Sequence, residues 1–135
     1  MTITIDSCVA AKWFLAEEGA DRAALIAGSD EVLCAPDLLV AEVGNVFWKA
    51  CRQARASASN AARAMAALPG FFDELIPHAE HADRALGISL ALDHPIYDCF
   101  YLAVAEARQA PLVTADYRLF RKVAGTQHEQ LVRFL

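Results

Sequence analysis

Long apolar runs are missing from this chain of 135 residues, although 56% of the residues are hydrophobic. No stretch reaches the roughly 20 consecutive apolar residues that a membrane-spanning helix needs. Asp6 and Lys12 interrupt the amino-terminal apolar stretch, which argues against a signal peptide. We therefore expect one cytoplasmic domain over residues 1–135, with a core of ordinary size and no membrane partner.

Paired cysteine spacing is also missing, since no C-x-x-C motif occurs. The four cysteines are Cys8, Cys34, Cys51 and Cys99. We interpret them as small buried hydrophobic residues rather than as disulfides or zinc ligands. The histidines form no cluster either, so His78 and His81 are expected to be solvated and His94 to be a loop residue.

An excess of positive charge is lacking, because the formal net charge is −5. This balance argues against a broad basic surface for nucleic acid. Four acids that are singled out below account for most of that excess negative charge. The basic residues Arg118, Arg121, Lys122 and Lys49 remain, and they are either phosphate contacts or ordinary solvated side chains.

Short apolar or β-prone runs alternate with helical patterns along the chain. Strands are predicted at 1–5, 31–35, 71–76, 111–114 and 131–135, and helices at 9–16, 20–27, 38–53, 57–68, 78–92, 96–107 and 116–124. Asp37 is expected to cap the helix over 38–53. This alternation predicts an α/β protein with three layers, in which helices cover both faces of a mostly parallel sheet of four or five strands.

Three aspartates stand at the ends of predicted core elements. Asp6 follows the first strand, Asp116 follows the strand over 111–114, and Asp98 lies in the first turn of an apolar helix after Pro95. One such acid is ordinarily a cap or turn residue. Three of them around an apolar framework need a counter-charge, and a divalent metal with oxygen ligands supplies it.

A polar stripe lies along the helix over 38–53. Glu42, Asn45 and Lys49 are spaced i, i+3 and i+7, which places them on one helix face. Either this is the solvated face of an amphipathic helix, or the stripe faces the site of the three aspartates. The segment alone does not distinguish these interpretations.

Four segments, read together, resemble a known family. They are I-D-S-C-V-A-A-K-W-F, P-D-L-L-V-A-E-V-G-N-V-F-W-K, H-P-I-Y-D-C-F-Y-L-A-V-A and L-V-T-A-D. The chain resembles, over essentially its whole length, the PIN-domain ribonucleases of type II toxin–antitoxin systems, the VapC toxins. The resemblance implies an acidic catalytic and metal-binding set with two supporting polar residues: Asp6, Glu42, Asp98 and Asp116, supported by Asn45 and Thr114.

The resemblance also implies a PIN-like fold and an Mg²⁺-dependent endoribonuclease, with Mn²⁺ as the other possible ion. The substrate would be tRNA or rRNA, a small cognate antitoxin would neutralise the enzyme, and the protein would form a homodimer. One departure concerns Cys8, which stands where the family usually has Ser or Thr, because a thiol is the weaker hydrogen-bond partner. Ser7 is expected to point away from the site.

Two other functions remain open on the sequence. One is a catalytically weak PIN-like module that binds RNA or protein, although no acid of the set is missing. The other is an aspartate-based phosphoryl-transfer enzyme, which normally has a second acid near Asp6 that this chain lacks. Trp13, Phe14 and Trp48 are either core residues or the lining of a groove for an antitoxin segment.

Overall fold

Strands and helices alternate from end to end in the computed structural model, which describes residues 1–135. The strands are β1 (Thr2–Ile5), β2 (Val32–Pro36), β3 (Glu74–Ile76), β4 (Leu112–Thr114) and β5 (Val132–Phe134). The helices are α1 (Ser7–Ala11), α2 (Ala20–Ala27), α3 (Leu38–Arg52), α4 (Ala58–Ala67), α5 (Ala82–Leu92), α6 (Ile96–Arg108) and α7 (Tyr117–Val123). Short 3₁₀ helices occupy Leu68–Phe71, His78–His81 and Glu129–Leu131. Every predicted strand and helix has a counterpart in the structure, although the first helix is displaced and the helix predicted over 78–92 begins as a 3₁₀ helix.

The five strands form one sheet in the order β3-β2-β1-β4-β5, and every neighbouring pair is parallel. The predicted parallel α/β sheet is thereby confirmed. The chain runs from β1 outward to β3 and then crosses back to β4 and β5. Right-handed crossovers therefore place α1 to α4 on one face of the sheet and α5 to α7 on the other. The strand order reverses between β1 and β4, which is where open α/β sheets bind ligands.

Helix α6 is the central helix of the second face and contacts β1, β2 and β4. Its residues from Tyr101 to Ala105 are buried, as its apolar sequence predicts. The burial is not complete around the helix, because Tyr97 in the first turn is 64% exposed. No helix of the protein combines the length and the apolarity needed to cross a membrane.

The first helix is shorter than predicted, since α1 ends at Ala11 instead of continuing to residue 16. The following residues form tight turns, which place the Trp13 side chain in an aromatic cluster with Phe71. Its ring stacks on Phe71 with centroids 5.0 Å apart, and its Nε1 donates to the Ala23 carbonyl at 2.9 Å. Phe14 packs edge-on against Phe71. Both residues are thus partly buried side chains that pack against the hydrophobic core.

Asp37 does not cap α3, which corrects the sequence-based prediction. Its Oδ1 accepts hydrogen bonds from the His78 backbone N–H at 3.0 Å and makes a 2.6 Å contact with His78 Nδ1. Asp37 and His78 follow the neighbouring parallel strands β2 and β3, so the sheet brings them together. His78 is therefore paired, although half of its side chain stays exposed as expected.

Candidate acidic site at the switch point of the sheet

The carboxylate of Asp6 lies at the carboxyl end of β1, and the residue is 4% exposed. Asp6 occupies the N-cap position of α1, but its side chain makes no capping hydrogen bond. Instead Oδ2 accepts a hydrogen bond from the Thr114 hydroxyl at 2.5 Å, and Ser7 Oγ lies 3.5 Å from Oδ1. The carboxylate is thus free of a helix-capping role and directed into the region between β1 and β4.

Thr114 joins the two strand ends across this switch point. Its buried hydroxyl donates to Asp6 and accepts the backbone N–H of Asp116 at 3.0 Å. Cys8 belongs to the same network, since its Sγ lies 3.6 Å from the Thr114 hydroxyl and accepts the Ala115 N–H at 3.2 Å. Burial raises the pKa of the Cys8 thiol, so the group remains a neutral thiol.

Nearby negative charge helps to raise the pKa values of two acids of the predicted set, Asp6 and Glu42. The pKa of Asp6 is raised to about 6, chiefly by burial and also by the charge of Asp98, while the Thr114 hydrogen bond acts in the opposite direction. Burial likewise raises the pKa of Glu42 to about 7, with smaller contributions from the charges of Asp6 and Asp98. Tyr101 opposes this shift because its hydroxyl donates to Glu42 Oε1 at 2.6 Å.

Asp98 contacts a residue that the sequence had placed outside the site. His94 Nε2 lies 2.6 Å from Asp98 Oδ2, and the side chains are 10% and 24% exposed. His94 is a loop residue, as expected, and its side chain also contacts a predicted site acid. Its backbone is in the turn before α6, held by Ser89, whose Oγ donates to the His94 carbonyl at 2.6 Å. The i, i+4 spacing of the pair was the available signal, and the intervening Pro95 obscured it.

Asp116 lies at the margin of this group. Its Oδ1 accepts the backbone N–H groups of Arg118 and Leu119 at 2.9 and 3.4 Å, so it caps α7 in the ordinary way. It is connected to the buried acid Asp6 through Thr114. The structure thus brings Asp6 and Glu42 close enough to Asp98 for its charge to affect them, and it links Asp116 to Asp6 through the Thr114 hydroxyl.

Two of the three residues of the polar stripe on α3 line the site, whereas Lys49 lines a separate depression farther along the helix. Glu42 and the exposed Asn45 line an open depression of about 400 Å³ together with Ser7 and Tyr97. Ser7 was expected to point elsewhere, and its place here corrects that expectation. The depression gives the acids access to solvent, since it reaches Glu42 and the residue that follows Asp6.

No lysine or arginine forms an ion pair with any of the four acids, because the arginine and lysine ion pairs involve Glu17, Glu74 and Glu106. No group of three or more His, Cys, Asp or Glu side chains converges tightly enough to enclose a metal ion by itself. The oxygen donors nevertheless suit Mg²⁺, which typically takes one or two carboxylates and completes its shell with water and substrate phosphate. The donor set therefore fits a hydrated, open ion rather than a closed cage.

The fold and the site together define a class of protein. It is an α/β protein whose parallel sheet carries acids without lysine or arginine partners at the point where the strand order reverses. The family model described as PIN domain matches residues 3–126, and the chain belongs to the PIN-domain family. The chain is 38% identical over 87 residues to proteins named Ribonuclease VapC1 from two strains of Mycobacterium tuberculosis, a match that covers 63% of this chain and 63% of those relatives. The chain thus spans less than two thirds of their length.

A further relative matches over most of the chain. Ribonuclease VapC3 from Pyrobaculum aerophilum is 29% identical over 124 residues, which is 90% of this chain and 95% of that protein. The resemblance to VapC proteins that the sequence motifs indicate is confirmed by these relatives.

Two solved structures share the fold. PAE2754 from Pyrobaculum aerophilum superposes with a TM-score of 0.63 at 24% identity, covering 93% of this chain and 82% of the other. A toxin–antitoxin complex from Klebsiella pneumoniae contains a chain that superposes with a TM-score of 0.68 at 17% identity, covering 97% and 95%. At these identities the likeness supports the fold.

Proposed function

We propose that the protein is a metal-dependent endoribonuclease toxin that hydrolyses phosphodiester bonds of tRNA or rRNA in the cytoplasm. The observation that carries the proposal is the enclosure of Asp6 beside Asp98 and Glu42 without any lysine or arginine to neutralise them. Buried acids of this kind are costly unless a cation joins them. An RNA phosphate is also negative, so substrate and acids are compatible only with a cation between them.

Asp6 and Asp98 would be the principal ligands of Mg²⁺ or Mn²⁺, with Asp116 acting directly or through water. When bound, the ion lowers the pKa of a water molecule and stabilises charge on the phosphoryl oxygens. His94 keeps Asp98 in place through the 2.6 Å contact with its Oδ2. The Thr114 hydroxyl does the same for Asp6 Oδ2. Glu42 would ligate a second ion or orient the attacking water.

Glu42 is suited to handle a proton near neutral pH, because burial raises its pKa to about 7. Tyr101 holds Oε1 of this carboxylate, which leaves Oε2 for the attacking water. In-line attack forms a bond between the water oxygen and phosphorus and breaks the bond from phosphorus to O3′. The leaving oxygen takes a proton, and the products carry a 3′-hydroxyl and a 5′-phosphate.

The partners follow from the relatives and remain part of the proposal. Relatives named Ribonuclease VapC and a neighbour described as a toxin–antitoxin complex support RNA as substrate and a small cognate antitoxin as inhibitor. An arginine of the antitoxin would occupy the acidic site in place of metal. We also propose that the protein acts as a homodimer.

Incubation of the purified protein with total RNA tests the activity. We expect cleavage in Mg²⁺ or Mn²⁺, none in excess chelator, and a loss of at least about a hundredfold in Asp98→Asn, which removes a ligand charge at almost constant volume. Asp93→Asn is the matched control, because Asp93 is exposed and tolerates Asn in its left-handed backbone conformation.

The outcomes separate the three functions left open by the sequence. Cleavage that persists in chelator, or that survives Asp98→Asn unchanged, contradicts the metal–carboxylate mechanism. RNA binding without cleavage in any metal would favour the binding module. A stable phosphoryl adduct on Asp6 would favour the phosphoryl-transfer enzyme.

A further inference from the structure

Two histidines outside the acidic site lie on one short helical turn. His78 and His81 are the first and last residues of the 3₁₀ helix that follows β3 and precedes α5. In a 3₁₀ helix the side chains at positions i and i+3 project in the same direction, about 6 Å apart along the helix axis. The two imidazoles, called the histidine pair below, therefore project from the same side of this turn.

The separation of the histidine pair is the one that metal-binding histidines use in α-helices. Residues i and i+4 of an α-helix share a face and are likewise about 6 Å apart along the axis. The H-E-x-x-H motif places two zinc ligands at this spacing. The segment H-A-E-H over residues 78–81 has one residue fewer between its histidines, and the 3₁₀ geometry restores the same separation.

Asp37 holds the ring of His78 in an orientation that suits a metal ligand. Its Oδ1 accepts the His78 backbone N–H at 3.0 Å and lies 2.6 Å from His78 Nδ1. These hydrogen bonds lower the pKa of the Asp37 carboxyl, so Asp37 is an ionised acceptor and Nδ1 carries the donated proton. In the neutral imidazole the opposite nitrogen, Nε2, then has a lone pair for a metal ion. Histidines that bind metals usually have such a carboxylate behind the ring.

A second contact restrains the same ring. Phe100 packs edge-on against His78, with ring centroids 5.3 Å apart and an angle of 86° between the rings. The His78 side chain nevertheless remains 46% exposed, and His81 is partly buried. His78 is thus held from two sides and still accessible to an ion from solvent.

The histidine pair is separate from the acidic site in both position and chemistry. Phe100 and Asp98 are two residues apart on α6, which corresponds to about 200° around the helix. Because His78 packs against Phe100, the pair lies on the other side of α6 from Asp98. Carboxylate oxygens suit Mg²⁺ and Mn²⁺, whereas imidazole nitrogens suit Zn²⁺, Ni²⁺ and Cu²⁺. The two places therefore select different ions.

We propose that His78 and His81 bind a divalent transition-metal ion, of the class of Zn²⁺, Ni²⁺ and Cu²⁺, with Asp37 orienting the His78 ring. No third His, Cys, Asp or Glu side chain joins the pair, so water completes the coordination of the ion. The ion connects the turn after β3 to Asp37, the residue that precedes α3. This inference goes beyond the proposed nuclease function and does not depend on it.

Isothermal titration with Zn²⁺, in saturating Mg²⁺ to occupy the acidic site, tests the proposal. We expect one Zn²⁺ per chain, and a loss of affinity of at least about tenfold in His78→Ala and in His81→Ala. Asp37→Asn is expected to weaken binding by about tenfold, because the His78 ring loses its carboxylate partner. His94→Gln is the matched control, since it removes an imidazole beside the acidic site and is expected to leave the affinity for Zn²⁺ unchanged.

Long-range ¹H–¹⁵N spectra of the histidine rings give a second readout. Without Zn²⁺, neutral His78 is expected to carry its proton on Nδ1. Addition of Zn²⁺ is expected to shift the Nε2 resonance of His78 together with the ring resonances of His81, and to leave the buried His128 unchanged. His81→Ala leaves the contact between Asp37 and His78 intact, so it tests the site even if His78→Ala fails to fold, which circular dichroism checks.

Four results overturn the inference. They are the absence of saturable Zn²⁺ binding, unchanged affinity in His81→Ala, resonance shifts confined to one of the two histidines, and loss of binding in His94→Gln, which places the ion at the acidic site instead. RNA cleavage is measured separately in Mg²⁺ or Mn²⁺ without Zn²⁺. Failure of Zn²⁺ binding therefore leaves the nuclease proposal standing, and absence of cleavage leaves the histidine site standing.

Discussion

Asp6 is the residue whose charge the protein accommodates least easily. Its carboxylate is nearly enclosed, one threonine hydroxyl stabilises it, and burial raises its pKa to about 6. The charge of Asp98 acts in the same direction. A carboxyl group with a raised pKa costs the folded state free energy when it loses its proton, so the protein becomes less stable as Asp6 ionises. This residue therefore connects the site with the pH dependence of the whole protein.

We expect Asp6→Asn to stabilise the metal-free protein at pH 8. In the folded protein the pKa of Asp6 is raised from the ordinary value of 3.8 to about 6. The contribution of this carboxyl group to the stability is therefore fully present below about pH 4, and it is lost as the pH rises through about 6. The full shift corresponds to about 3 kcal/mol. Urea unfolding in chelator measures this gain, which is expected to vanish at pH 4. A destabilised Asp6→Asn protein at pH 8 would contradict the argument.

A histidine adjacent to a helix gives a second prediction at this scale. We expect His94→Ala to lower the affinity for Mn²⁺ by about tenfold, because Asp98 loses the side chain that orients its Oδ2. Isothermal titration with Mn²⁺ measures the change without any RNA. Partial recovery in His94→Gln, which keeps a hydrogen-bond donor, would mark a positioning role, while equal affinity in all three proteins would exclude it.

At the scale of elements, helices α3 and α6 lie on opposite faces of the sheet yet meet at its carboxyl edge. The contact is the bond from the buried Tyr101 hydroxyl to Glu42 Oε1, at 2.6 Å. Tyrosine stays protonated because burial and the nearby negative charges of Asp6 and Glu42 raise its pKa well above the usual range. It therefore acts as a fixed donor that favours the ionised form of Glu42.

We expect Tyr101→Phe to raise the pKa of Glu42 above its present value of about 7, because the ionised carboxylate loses its donor. If Glu42 accepts a proton in catalysis, the acidic limb of the pH–rate profile moves to higher pH. Cleavage rates from pH 5 to 9 measure this shift. Cys51→Ala on the same helix α3 is a control, because Cys51 lies outside the site. An unshifted limb would exclude Glu42 from that role.

At the scale of the whole molecule, the sheet concentrates negative charge at one edge and leaves it uncompensated by lysine or arginine. Folding at neutral pH therefore brings together charges that repel in the absence of a cation. A bound ion removes this repulsion and stabilises the folded state by mass action.

We expect Mg²⁺ or Mn²⁺ to raise the melting temperature at pH 8 and to have less effect at pH 4, because the raised pKa values of Asp6 and Glu42 leave both carboxyl groups protonated there. At a concentration of one hundred times Kd the gain is about 2.7 kcal/mol. Differential scanning calorimetry with and without the ion measures it. A gain of the same size in Asp6→Asn would show that the ion binds elsewhere.

Much of this architecture can be predicted from the amino-acid sequence alone. Apolar runs and helical periodicity are local, so the order of strands and helices follows from them. The error at α1 came from Trp13, whose indole N–H finds a partner in the carbonyl of Ala23, ten residues away. The error at Asp37 came from the pairing of β2 with β3, which no local pattern encodes.

The amino-acid sequence by itself determined the parallel α/β fold, the family, and the placing of acids at strand ends, because motif spacing and alternation are properties of neighbours along the chain. Only the tertiary structure decided which groups hold those acids. Thr114 binds Asp6 across 108 residues and Tyr101 binds Glu42 across 59. Contacts at such separations arise from sheet order and helix packing, and the same packing determines the burial that raises the pKa values of both acids.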